Sequence, residues 1–186
     1  MATSLDKALA IVQAGKTIVY PTDTIWGIGC DATNATAVAK IYALKQRKES
    51  KSLIVLVSSF QMLEKYVQEV PEVVKKALEI AIKPTTVIYK DPIGIPANLL
   101  AEDGSIAIRI VQDSFCEQLI EKLGAPLVST SANRSGVASP KSFSEINSTI
   151  LESVDYVVNL SPEKGSATAS RILRVSSEGT IVVIRD

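Results

Sequence analysis

Apolar residues recur at Leu5, Ala8, Leu9 and Val12, the i, i+3, i+4, i+7 spacing of one helical face, and predict a helix capped by Ser4 and ended by Gly15. Thr17, Ile18, Val19 and Tyr20 are β-branched or aromatic and predict a strand, which Pro21 ends because proline has no N–H to give to a ladder. After a polar stretch, Asn34 caps a second predicted helix with Ala35, Val38, Ala39 and Tyr42 on one face and Lys45, Arg47 and Lys48 at its end. Residues 53–57 are apolar without alternation, as in a strand covered on both faces. Helical stretches follow near 59–66 and from Pro71, with Val73, Val74, Ala77 and Leu78 at helical spacing. Strands are predicted at 85–89 and 105–110, separated by a loop that Pro92, Gly94 and Pro96 mark. Asp113 or Ser114 caps a helix with Cys116, Leu119, Ile120 and Leu123 inward, and residues 126–128 lead into the polar run 129–133. A helix near 142–151 and strands near 155–158, 170–175 and 180–185 complete the pattern. Helices and strands alternate early and strands crowd late, which predicts an α/β fold built on one mixed sheet covered by helices.

Composition narrows the class. A chain of 186 residues with 46% hydrophobic content suffices for one domain with a proper core, spanning 1–186. Twenty basic residues balance twenty acidic ones, so no global field draws in nucleic acid or an anionic membrane. No apolar run approaches the roughly 20 residues that span a bilayer, so no membrane partner is expected. Cys30 and Cys116 lie far apart, and the first residues lack a basic segment followed by an apolar one, so the expectation is a soluble protein of the reducing cytoplasm. The absence of histidine removes the usual neutral-pH general base, a Ser-His-Asp triad and every His-containing metal site.

Chemistry must therefore come from other groups, and they concentrate in three stretches. Residues 21–29 offer the hydroxyls of Thr22 and Thr24, the carboxylate of Asp23, the ring of Trp26, and Gly27 and Gly29, which admit close backbone approach; the alternative is a turn whose Trp packs inward. Lys45, Arg47, Lys48 and Lys51 follow a helix, either as a solvated helix end or as a clamp for polyphosphate. Ser129, Thr130, Ser131, Asn133 and Ser135 follow an apolar strand, either as ordinary turn formers or as ligand-binding groups at a strand end. Arg109 stands inside an apolar strand, where a guanidinium needs a partner: a carboxylate of the protein or one of a substrate. Gly27, Gly29 and Ala32, with Glu49 beyond, imitate a dinucleotide fingerprint, but six residues including Pro21 and Trp26 separate the glycines from the strand. No Walker A run is present either.

Pro21-Thr22-Asp23-Thr24 with Gly27 and Gly29, Lys45-x-Arg47 before Lys51-Ser52-Leu53, residues 106–110, and residues 129–136 match in order and spacing a family pattern over nearly the whole chain. In these motifs the chain resembles the YrdC-like proteins, whose best-known members are L-threonylcarbamoyladenylate synthases. The resemblance implies a twisted mixed α/β sheet with a concave, positively charged cavity. It also implies a nucleotidyltransferase reaction that joins L-threonine, bicarbonate and ATP into threonylcarbamoyl-AMP and pyrophosphate, the first step toward N6-threonylcarbamoyladenosine in tRNA. Carried over by residue, it implies Thr22, Arg109, Ser129 and Ser170 for threonine, Lys45 and Arg47 as the catalytic grip on the ATP phosphates, and Glu49, Ser131, Asn133, Ser139 and Arg185 around the nucleotide. Mg2+ would travel with ATP rather than sit in a protein cage, and tRNA or a downstream threonylcarbamoyl-transferase complex would receive the product.

The chain departs from the family at Ile82-Lys83-Pro84-Thr85-Thr86, where a Trp-Pro-Gly-Pro-Leu-Thr segment is usual, at Val111 in place of a proline, and at Ser170-Arg171-Ile172 in place of Ser-Thr-Ile/Val. It ends at Asp186, so the expectation is the short single-domain form. Two other classes remain open on sequence: an RNA-binding module using the same cavity without chemistry, and a carbamoyl-transfer domain with another acceptor.

Overall fold

A computed structural model of the chain describes residues 3–47, 53–160, 168–176 and 178–186. The N-terminal helix α1 spans Ser4–Gln13, and its cap is Thr3 rather than Ser4. Thr3 accepts from the Asp6 N–H while the Asp6 carboxylate accepts from the Thr3 N–H, a reciprocal box that requires an acid three residues after the cap; Ser4 has none at Lys7. The helix closes at Gly15, whose φ of 68° is a left-handed turn that glycine adopts without a Cβ clash.

Strand β1 is Ile18–Tyr20, and the two glycines expected to admit close backbone approach lie in β2, Gly27–Gly29, antiparallel to it. The reason for a glycine at position 29 is packing: a Cβ there would lie 2.4 Å from the Val128 carbonyl oxygen and 2.6 Å from the Tyr20 ring. Tyr20 is wholly buried and donates to that same carbonyl at 2.9 Å. Gly29 thus admits an internal side chain rather than a ligand.

Asn34 caps α2 (Ala35–Lys45) by accepting from the Ala37 N–H, as its spacing predicts. Next come β3 (Ile54–Val57), α3 (Phe60–Tyr66), α4 (Glu72–Glu79), β4 (Thr85–Tyr89) and β5 (Ile106–Ile110). Helix α5 (Ser114–Leu123) is capped by Asp113. Strand β6 runs from Leu127 to Ser131, further than the apolar residues alone indicate, because its hydroxyl-bearing end pairs with β2 and β3. The single helix expected near 142–151 is instead a 3-10 turn at Phe143–Glu145 and a short α6 (Ser148–Ser153) capped by Asn147. Strands β7 (Tyr156–Val157), β8 (Arg171–Val175) and β9 (Ile181–Arg185) end the chain.

These strands form one mixed sheet in the order β7-β1-β2-β6-β3-β5-β4-β8-β9, as the α/β reading requires. Helices α1 and α5 pack together over one face, where Ala8, Val12, Leu119 and Ile120 meet Ile18, Tyr20, Leu56 and Leu127. Helix α2 covers the other face through Val38 and Ile41, against Ile28, Val55 and Ile108. No helix among the described residues is long and apolar enough to cross a membrane.

Register aligns two rows of side chains across the sheet. Leu56, Arg109, Thr86, Ile172 and Arg185 are successive partners across β3, β5, β4, β8 and β9. Ser129, Ile54, Ala107 and Ile88 are partners across β6, β3, β5 and β4. Partners in a ladder present their side chains on the same face, so the first row carries two guanidinium groups and the second a hydroxyl beside three apolar groups.

Candidate active site

Pro21 ends β1, and the following turn folds around one hydroxyl. Thr22 Oγ1 accepts the Thr24 N–H at 3.0 Å and donates to the Ile25 carbonyl at 2.7 Å. In the 2.9 Å contact between the two threonine hydroxyls, Thr24 is therefore the donor. Thr22 is saturated and buried, whereas Thr24 keeps a lone pair and faces a cavity.

Arg109 reaches the same turn from β5. Its Nη1 donates to Thr24 Oγ1 at 3.1 Å, and its Nη2 lies 3.0 Å from Asp23 Oδ1. The other Asp23 oxygen accepts the Gln112 N–H at 3.3 Å. The cation in an apolar strand thus has a carboxylate of the protein, yet it also lines the cavity, and its buried Nε has no hydrogen-bond partner among the described residues. Trp26 takes the inward alternative: it is buried, with its ring centroid 5.0 Å from that of Phe143.

The cations after α2 divide. Lys45 is 1% exposed, and its ammonium donates to the main-chain carbonyls of Ser131 and Asn133. Burial, with the Arg47 charge adding to it, lowers its pKa to about 8. Gln46 takes a left-handed conformation at φ 51° and ends the helix, and Arg47 beyond it lines the cavity. Burial lowers the Arg47 pKa as well. A solvated helix end describes neither residue. Lys48, Glu49 and Lys51 lie outside the described residues.

From the far side, Arg185 donates through Nε and Nη2 to the Ser170 carbonyl at 3.0 and 2.7 Å. The Ser170 hydroxyl meets Thr86 Oγ1 at 2.8 Å. Burial and the neighbouring Arg109 charge lower the Arg185 pKa. Asn133 turns its amide nitrogen onto the Arg134 and Val137 carbonyls and so shapes the loop after β6.

Arg47, Arg109, Ser129, Ser131, Ser139, Ser170 and Arg185 line one cavity of about 310 Å3, together with Thr24, Gly27 and the apolar row Ile54, Ala107 and Ile88. Thr22 and Lys45 are buried behind its wall, and Asn133 is half-buried outside its lining. Thr86 was not singled out by sequence; its signal was a polar residue in a β-branched strand, cross-strand from Arg109. A second hollow of about 420 Å3, lined by Ile80, Ile82 and Val183, holds Lys83 and Arg171, and both of these face Asp186 at 3.6 and 3.0 Å. Size alone therefore does not select the site; converging cations and hydroxyls do.

A family model described as telomere recombination, for Sua5, YciO and YrdC, matches residues 10–186. The chain belongs to the Sua5/YciO/YrdC family. Among members of this family, the Threonylcarbamoyl-AMP synthase of Pseudoalteromonas translucida is 32% identical over 173 residues, 91% of this chain and 92% of that one. That of Stenotrophomonas maltophilia is 32% identical over 183 residues, 96% of this chain and 97% of that one. The Sua5/YciO/YrdC fold is also seen in P. abyssi Sua5 complexed with L-threonine, with a TM-score of 0.86 at 25% identity over 97% of this chain. This chain spans about half of that one, 53% of its length. Escherichia coli YciO superposes with a TM-score of 0.81 at 24% identity, covering 98% of this chain and 88% of that one.

Proposed function

We propose that this chain is an L-threonylcarbamoyladenylate synthase, a single-domain nucleotidyltransferase working in the cavity of about 310 Å3. The observation that carries the reading is that Arg47, Arg109 and Arg185, from three distant parts of the chain, face one hollow beside the hydroxyls of Thr24, Ser129, Ser131 and Ser170. The synthases of P. translucida and S. maltophilia, similar over more than nine tenths of this chain, support it.

The reaction needs placement and charge neutralisation rather than a nucleophile from the protein. Bicarbonate takes up a proton and loses water to give CO2, and the threonine amine attacks its carbon, forming a carbon–nitrogen bond and releasing a proton. A carbamate oxygen then attacks the α-phosphorus of ATP, and pyrophosphate departs with the electron pair of the broken P–O bond. Arg109 takes the threonine carboxylate, with Ser129 and Ser170 as further hydroxyl partners, and Thr24 offers the amino acid its remaining lone pair as an acceptor. Thr22 acts through Thr24 by fixing the direction of its O–H. Arg47 and Arg185, with Ser131 and Ser139, meet the triphosphate, where a guanidinium matches phosphate oxygens two at a time. Lys45 acts from behind the wall: it holds the Ser131 and Asn133 carbonyls and adds a fixed charge. A chain without histidine suffices, because no side chain forms a covalent intermediate.

Among the described residues no three acidic or cysteine side chains converge as metal ligands. Mg2+ fits as part of the substrate, bound by ATP oxygens and water. The product is an unstable mixed anhydride, and its consumer is tRNA or a threonylcarbamoyl-transferase complex in the cytoplasm.

Calorimetry tests the assignment. L-Threonine and ATP bind together without competing; Arg109→Ala abolishes the threonine heat and leaves ATP affinity within a few-fold, while Arg47→Ala does the reverse. Competition between the two ligands, or threonine binding indifferent to Arg109→Ala, contradicts it.

A further inference from the structure

The wall behind Arg109 contains a charged group with no place in the reaction. Asp23 lies within 3.0 Å of Arg109 Nη2, with side chains 10% and 3% exposed respectively. Its second oxygen is anchored by the Gln112 N–H at 3.3 Å, just beyond the strand that carries Arg109. The carboxylate therefore spans from the turn after β1 to the end of β5 and closes on the guanidinium from behind.

The guanidinium is engaged at both terminal nitrogens: Nη1 by a hydrogen bond to Thr24 Oγ1, and Nη2 by an ion pair with Asp23 Oδ1 that lacks hydrogen-bond geometry. A rigid fork with both tips fixed presents its remaining donors in one direction. Its Nε is buried without a partner among the described residues, and Arg109 lines the cavity. A buried N–H without an acceptor is costly, and an acceptor brought to it relieves the cost.

We infer that Asp23 is a positioning residue for L-threonine: it fixes the Arg109 fork so that the free donors meet the amino acid carboxylate. This inference rests on the synthase reading above. The carboxylate also balances a guanidinium that would otherwise be a buried, unpaired charge. It opposes the substrate carboxylate as well, and the outcome is decided by whether alignment or like-charge repulsion dominates; a charge-assisted contact at 3.0 Å to the fork itself outweighs repulsion acting through it.

The test is steady-state kinetics of pyrophosphate release in the full chain, with Asp23→Ala and Asp23→Glu. Asp23→Ala lowers kcat/KM for L-threonine by about 10- to 100-fold, the scale of an ångström of misplacement, while the KM for ATP stays within about twofold. Asp23→Glu, which keeps a carboxylate on a longer stem, restores threonine kcat/KM to within about threefold of wild type. ATP affinity and thermal melting establish that each variant is folded; if Asp23→Ala is not, Asp23→Asn, nearly the same shape without the charge, takes its place with the same expected loss. Threonine kcat/KM unchanged or improved in Asp23→Ala, a parallel rise in the ATP KM, or Asp23→Glu as impaired as Asp23→Ala overturns the inference. Wild-type protein whose pyrophosphate release ignores threonine overturns the reading beneath it instead.

Discussion

The buried ammonium of Lys45 donates to the main-chain carbonyl of Ser131, 86 residues further along the chain. The contact ties the end of α2 to the end of β6, and it sets Arg47 and the Ser131 hydroxyl on the same cavity. With its pKa lowered to about 8, first by burial and then by the Arg47 charge, Lys45 loses its proton at a lower pH than an exposed lysine does. Below about pH 8 the charge is present, and ATP binds with it in place. The affinity for ATP falls as pH rises through about 8, and Lys45→Arg, which stays charged, flattens the dependence. Calorimetric titration of ATP between pH 7 and pH 9 reads this directly; an affinity that does not change over that range contradicts it. The stability sign is the reverse of a lysine gaining a partner. The folded pKa lies below the unfolded value of 10.5, so the burial cost is full below about pH 8 and is relieved as pH rises toward 10.5.

The two threonines of the turn separate in their effects. Thr22→Val removes the acceptor of the Thr24 N–H and the donor to the Ile25 carbonyl, leaving buried polar groups unmatched, and destabilises by roughly 1–3 kcal/mol. Thr24→Val removes a partner of Arg109 and the hydroxyl facing the cavity, and raises the KM for threonine by about tenfold or more. Denaturant melts and threonine titrations of both variants check the pair; the opposite assignment of effects contradicts the hydrogen-bond directions.

Gly29→Ala forces a Cβ against the Val128 carbonyl and the Tyr20 ring, at 2.4 and 2.6 Å, and destabilises by roughly 2–3 kcal/mol in urea unfolding. At Gly27 the nearest atom to a Cβ is Ser129 Oγ at 3.2 Å, a side chain on the cavity wall. Gly27→Ala is therefore tolerated better in stability and is felt in ligand binding. Equal unfolding midpoints for the two variants would contradict the packing argument.

Ala107 is the smallest group in the apolar row, between Ile54 and Ile88. Ala107→Phe directs a ring into the cavity rather than the core, so melting is nearly unchanged while heats of binding for threonine and ATP are lost. Undiminished binding by a folded Ala107→Phe would move the ligands elsewhere.

How much of this was legible depends on whether the signal was local. The α2 cap at Asn34, the buried strand at 53–57 and the need of Arg109 for a partner follow from residues close in sequence. Strand β2 was not legible, because a three-residue strand with two glycines has little β propensity and owes its place to pairing with β1 and β6. The extension of β6 through Ser129 to Ser131 has the same origin: hydroxyl residues read as a turn until neighbouring strands claim their backbone. The α1 cap was legible, since Thr3 and Asp6 have the spacing of a reciprocal box, and Ser4 was the weaker choice. For the site, the motifs named the residues that converge, but not which face the cavity. Burial of Lys45 is set by carbonyls 86 and 88 residues away, the saturation of Thr22 by the way a turn of four residues folds on itself, and Thr86 became visible only through its register with Arg109.

The proposed reaction joins threonine, bicarbonate and ATP in the cavity. Pyrophosphate release from ATP, measured with L-threonine and bicarbonate each present or withheld, is its test. Release is expected only when both are supplied, and is lost in Arg109→Ala. Release that proceeds without threonine, or that Arg109→Ala leaves intact, would contradict it.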